Sequence, residues 1–178
     1  IGGSVSHEFM VLTDTMVGEN DVFYCDKCGY SANSNHAISV LNEKETDGGF
    51  KTQEKVYTPN TKTIEQLAEF LNIKPSNILK SVFCIVDDKP VLVMIRGDKE
   101  LEETKLLNAV QGLEMRYGTD EEIREHFNCE PGFLSFLNID EKIKVVYDDT
   151  ARTMKNFVIG ANEKDYHIVG YNFDKMRS

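Results

Sequence analysis

The sequence predicts an α+β domain, on three observations. Apolar strand-like runs and helical stretches mix irregularly and do not alternate as β-α-β units. Two capping-box signals, Thr63-Ile-Glu-Gln66 and Thr119-Asp-Glu-Glu122, each open a short helix. SVFCIV (81–86) and PVLVMIR (90–96), joined by a short DDK turn, read as a hairpin of buried strands.

Along the chain, 5–12 (VSHEFMVL) and 21–24 (DVFY) read as strands, with a hairpin plausible across TDTMVGEN. The turn CDKCGY follows, then a short helical stretch near 34–41. Residues 42–56 are polar and carry Gly48-Gly49, so they read as a linker and a domain boundary. A helix is expected from Ile64 to Leu71, where Ile64, Leu67, Ala68 and Leu71 share one face. Pro75 opens a further turn, 102–110 read as helix, 113–117 as strand, and a helix runs from Thr119 to about Phe127. KIKVVYD (142–148) and YHIVGYN (166–172) are strands, with NFVIGAN between them. The domain division is 1–50, 51–173 and a short segment at 174–178.

The 178 residues suffice for one sizeable domain with an appendage. The chain begins with Ile1, so a processed or excised chain is expected. The net charge of −10 argues against an autonomous binder of long nucleic acid, because phosphate contacts supply most of such affinity. It leaves open an enzyme that admits one nucleotide end. No apolar run is long enough to span a bilayer, and a cytoplasmic location is expected. Cys25, Cys28, Cys84 and Cys129 do not form a disulfide framework, and reduced thiols are expected.

Local motifs give weak chemical signals. Cys25-Asp-Lys-Cys28 is half of a zinc knuckle without a second pair, and two reduced cysteines in a turn is the favoured reading. GxSxG, HExxH and P-loop patterns are absent. Lys80, before an apolar strand, could serve as a point charge for phosphate or simply end a helical turn. His167 in a strand, Asp148 at a strand end, and Gly132, Gly160 and Asn162 in turns each have an ordinary structural reading.

Taken in order, the pieces resemble one family. GGSVSHEFMVL (2–12) with YCDKCGYSAN (24–33) resembles the bacterial-type prolyl-tRNA synthetase catalytic domain just before its large insertion. TPNTKTIEQLAEFLNIKPSNILKSV (58–82), PVLVMIRGDKELEETKL (90–106) and NFVIGANEKDYHIVGYNF (156–173) resemble that insertion. The resemblance implies a YbaK-like deacylase fold with a mixed, barrel-like sheet and flanking helices. It also implies hydrolytic editing of alanyl-tRNA(Pro). Rejection of a smaller amino acid by one pocket yields only about 10–200-fold per methylene, so a second sieve hydrolyses the wrong product.

By that resemblance, Lys80 holds the phosphate or ribose end of the acceptor terminus and His167 lines the pocket. Together they form the catalytic pair. Thr58, Gly132, Asp148, Gly160 and Asn162 are expected to bind substrate, with Asp148 facing the alanyl amino group. Phe136 stands where the family has the proline of a glycine-x-x-x-proline loop, which puts that loop's rigidity in question. Editing implies no metal or cofactor. ATP and Mg are expected only for the intact synthetase. The implied partners are the alanine-bearing end of tRNA(Pro) and the remaining synthetase domains. The alternative is a non-catalytic insertion that supports tRNA docking or synthetase architecture.

Overall fold

A computed structural model describes residues 21–34, 36–37 and 44–173. The chain divides into two compact units, 1–39 and 40–178. In the first, β1 (Val22–Tyr24) pairs antiparallel with β2 (Ser31–Asn33) across the cysteine-bearing turn. Gly29 takes φ +72, and its N–H closes on the Cys25 carbonyl at 2.9 Å. The expected strand at 5–12 and its hairpin with 21–24 lie outside the described residues, as does most of the helical stretch near 34–41.

The second unit is a mixed α+β structure. β5 (Leu79–Val86) and β6 (Lys89–Arg96) form the long hairpin in register from Leu79↔Arg96 to Val86↔Lys89. Asp87 and Asp88, at φ 46 and 59, make the two-residue turn whose twist suits a hairpin. β7 (Met115–Tyr117) adds antiparallel to β5, and β8 (Lys144–Tyr147) adds parallel to β6. The second sheet is antiparallel, in the order β10 (Phe157–Gly160), β11 (Tyr166–Tyr171), β4 (Glu54–Tyr57). A parallel bridge between Ile78 and Val158 joins the two sheets.

The polar stretch at 42–56 holds more structure than a linker. β3 (Thr46–Asp47) pairs parallel with β9 (Met154–Lys155), and β4 pairs with β11. Both partners are about a hundred residues downstream, so local patterning gives no sign of them.

Helix α1 (Ile64–Leu71) starts at the full capping box of Thr63 and Gln66, and Asn72 ends it in the left-handed conformation. Its buried Leu67 and Ala68 pack with Ile78, Val158 and Val169. Helix α2 (Glu103–Val110) buries Leu106 against Cys84, Val86, Val91 and Val93 on one face of the hairpin. The main core covers the other face, where Phe83, Leu92 and Met94 meet Phe157, Ile159 and Phe127 from α3 (Asp120–Phe127). Each fully buried side chain of this size contributes about 1.5–3 kcal/mol, so the hairpin's double-sided burial is a large part of the fold's stability. Among the described residues no helix is long and apolar enough to cross a membrane.

The second capping box gives a test of local stability. Thr119 accepts from the Glu122 N–H, and Glu122 returns to the Thr119 N–H at 2.9 Å. Thr119→Ala is expected to cost about 1 kcal/mol and to lower Tm by about 2–4 °C. An unchanged Tm in calorimetry would remove the cap from the stability account.

Candidate functional site

A cleft of about 370 Å³ opens where five segments meet. The residues around the start of α1 form one wall, and Ile78–Ser81 at the head of β5 forms another. The loop at Gly132 and Leu134, Gly160 at the end of β10, and His167 in β11 complete it. The volume is that of a small-ligand site. Ile64, Leu67, Ile78 and Leu134 give it an apolar lining, and Lys62, Lys80 and Glu65 bring charge.

Lys80 lies in β5 rather than at a helix end, opposite Ile95. Its side chain is 16% exposed, and Nζ reaches Glu100 Oε1 at 3.0 Å. Glu100 is itself 91% exposed, so this pair is worth little in water and is readily exchanged for another anion.

His167 is 3% exposed. Its Nδ1 lies 2.7 Å from Oγ1 of the fully buried Thr58. Burial pushes the imidazole pKa down to about 4, and a hydrogen bond to the Gly132 backbone works more weakly in the opposite direction. A contact that favours the protonated ring is one in which the ring donates to the Gly132 carbonyl. The neutral ring has a single N–H, so with that proton on Gly132, Nδ1 accepts from the Thr58 hydroxyl. His167 therefore ties the end of β4 to the Gly132 loop, and its accepting nitrogen faces the buried Thr58 hydroxyl and not a substrate. Phe133 packs on the ring at 5.5 Å.

The loop has further fastenings. Gly132 takes φ +94, and a Cβ there would lie 2.9 Å from the Lys62 carbonyl oxygen, so the position requires glycine. A Cβ on Gly160 would overlap the carbonyls of Phe133 and Leu134. Asn162 does not line the cleft; its Oδ1 accepts from the Ser135 N–H and its Nδ2 donates to the Leu137 carbonyl, both at 2.6 Å. Phe136 is buried in the main core, edge-on to Tyr147 and Tyr171 and stacked on Phe173 at 6.0 Å. Aromatic packing thus fixes the position where the family has proline.

Asp148 is not among the cleft's lining residues. Its Oδ1 accepts from the N–H of Thr150 at 2.9 Å and from the Thr150 hydroxyl, capping the 3-10 turn Asp149–Thr153. Thr58 also stands behind the lining, reaching it through His167. A larger groove of about 770 Å³ lies at the far end of the hairpin, beside Lys89, His126 and Lys144, and contains none of the sequence-predicted site residues. Sequence reasoning missed Lys62, Ile64 and Ser81 as cleft residues. Ile64 was legible only as a core position and Lys62 only as the residue before a cap. Cys25 and Cys28 carry free thiols, and among the described residues no group of three or more candidate metal ligands occurs.

The depressed His167 pKa fixes a pH dependence. The unfolded ring takes a proton near its ordinary pKa of 6.5 and the folded ring only near 4, so the unfolded state binds more protons between those values. Stability is full above pH 6.5 and falls as pH drops toward 4, by up to about 3 kcal/mol. Denaturant titrations across this range should show that slope, and His167→Gln should flatten it. Parallel profiles for the two proteins would contradict a buried neutral ring.

Comparison with known proteins identifies the family. Residues 58–177 match the family model described as the aminoacyl-tRNA editing domain. The chain is 43% identical over 173 residues to a proline-tRNA ligase of Aquifex aeolicus (strain VF5), covering 97% of this chain and 30% of that protein. It is 40% identical over 176 residues to the proline-tRNA ligase of Sulfurihydrogenibium sp. (strain YO3AOP1), covering 98% of this chain and 30% of that protein. The chain therefore spans about 30% of the length of the curated relatives it matches. The crystal structure of a hypothetical protein shares the fold at a TM-score of 0.63 with 18% identity, over 70% of this chain and 83% of that one. A proposed trans-editing enzyme for prolyl tRNA synthetase does so at 0.57 with 19% identity, over 67% and 76%. With more than half of its length matched by the family model, the chain belongs to the aminoacyl-tRNA editing domain family.

Proposed function

We propose that this domain hydrolyses the ester between alanine and the terminal adenosine of tRNA(Pro), as the cis-editing domain of a prolyl-tRNA synthetase. The observation that carries the reading is the convergence of Lys80, the neutral His167 and the Gly132 loop on one cleft in a chain of the editing family. The barrel-like curl implied by the resemblance belongs to the same reading, supported by the Ile78–Val158 bridge between the sheets.

The chemistry is positioning rather than strong base catalysis. Lys80 exchanges Glu100 for the ribose or phosphate end of the substrate. The backbone at Gly132 lines the cleft and offers its amide to the developing oxyanion. A neighbouring ribose hydroxyl of the substrate assists the attacking water. His167 holds the loop against Thr58, while Asn162 and Asp148 shape their surroundings without touching substrate. The apolar lining admits a methyl group and rejects the proline ring. Deacylation needs no cofactor from these residues. ATP and Mg belong to aminoacylation by the complete synthetase, whose other domains supply the remaining tRNA contacts. The dense packing of Phe136 supports a firmly held loop, which favours this reading over a non-catalytic insertion.

The test is single-turnover deacylation of alanyl-tRNA(Pro), with prolyl-tRNA(Pro) as the control. Selective loss of the alanyl ester is expected, slowed roughly 10- to 100-fold by Lys80→Ala, the cost of one charge-assisted hydrogen bond. An unchanged rate in that variant would displace Lys80 from the site. Equal hydrolysis of both esters would contradict the size-selective pocket.

A further inference from the structure

We propose that Lys62 is the phosphate-binding residue of the cleft, its ammonium taking the 5′-phosphate of the nucleotide that carries the amino acid. The proposal deepens the editing reading and rests on it for the identity of the ligand.

Two lysines line the cleft, Lys80 from β5 and Lys62 from the segment before α1. Their ammonium groups differ in state. That of Lys80 is largely buried and pairs with Glu100 at 3.0 Å. Lys62 is exposed, and among the described residues its ammonium has no ion pair or hydrogen bond. The nearby carboxylates are already engaged. Glu130 feels the Lys62 charge but is held by Arg124 at 3.1 Å. The Glu65 carboxyl is held below its ordinary range chiefly by its own backbone N–H and the Thr63 side chain. The backbone beneath Lys62 is fixed, because its N–H donates to Gln66 Oε1 at 3.0 Å and its carbonyl abuts Gly132. A rigid base with an uncommitted cation at a cleft rim is an anion-binding arrangement, and lysine suits phosphate as a compact point charge.

The substrate's chemistry selects the anion. The amino acid's carboxylate is consumed in the ester, so the nearest negative charge is the 5′-phosphate, one ribose away. Two cations on separate elements can then hold the two ends of that ribose, with Lys80 on the ester side and Lys62 on the phosphate. In a chain of net charge −10, such a local cation also decides which part of the surface an RNA end approaches.

Binding of adenosine 5′-monophosphate and of adenosine, followed by titration calorimetry or NMR shifts, tests this without any hydrolysis. The unsubstituted protein should bind the monophosphate about tenfold more tightly, the worth of one charge-assisted contact. Lys62→Gln should erase that preference, and Lys62→Arg should keep it. A preference that survives Lys62→Gln, or that is absent from the unsubstituted protein, overturns the proposal. So does a preference lost only in Lys80→Ala, which would move the phosphate to Lys80. Failure of the editing reading would appear separately, as inertness toward alanyl-tRNA(Pro).

Discussion

The hydrogen bond between Thr58 and His167 is the constraint on which the site depends. Both residues are almost wholly buried, and neither could be left unpaired without a cost of about 1–3 kcal/mol. The bond joins the exit of β4 to β11, and the other face of the ring reaches the Gly132 loop. Through one side chain, the edge of the three-stranded sheet, the loop and the cleft wall share a single geometry. Burial keeps the imidazole neutral, and its hydrogen bonds leave no free nitrogen for a substrate, so function has to come from placement.

The loop from Gly132 to Phe136 shows how that placement is maintained. Gly132 and Gly160 allow backbone to approach backbone where a side chain would collide. Asn162 spends its amide on two main-chain groups, and Phe136 sits in a cluster with Tyr147, Tyr171 and Phe173. These fastenings are independent of one another. A proline would act by restricting the unfolded chain, whereas Phe136 acts by burial and aromatic packing in the folded one.

Much of the second unit's fold was legible from local rules. Both capping boxes and the β5–β6 hairpin stand where the sequence places them, because caps and two-residue turns are written in neighbouring residues. β3 and β4 were not legible. They are short and largely exposed, and their partners lie far along the chain. The site divides in the same way. Asp148 follows the general rule that aspartate at a strand end caps the next turn. Lys80 and His167 rose above their ordinary readings only through family resemblance, and the cleft brings them together. The clamp made by Asn162 and the position of Lys62 on the cleft depend on tertiary contacts that no spacing encodes.

The central claim is that His167 is a neutral, doubly bonded tether. Long-range proton–nitrogen correlation NMR of the His167 ring at neutral pH tests it most directly. The account predicts one neutral tautomer, protonated at Nε2, with Nδ1 accepting from Thr58. An imidazolium, or a ring protonated at Nδ1, would contradict it.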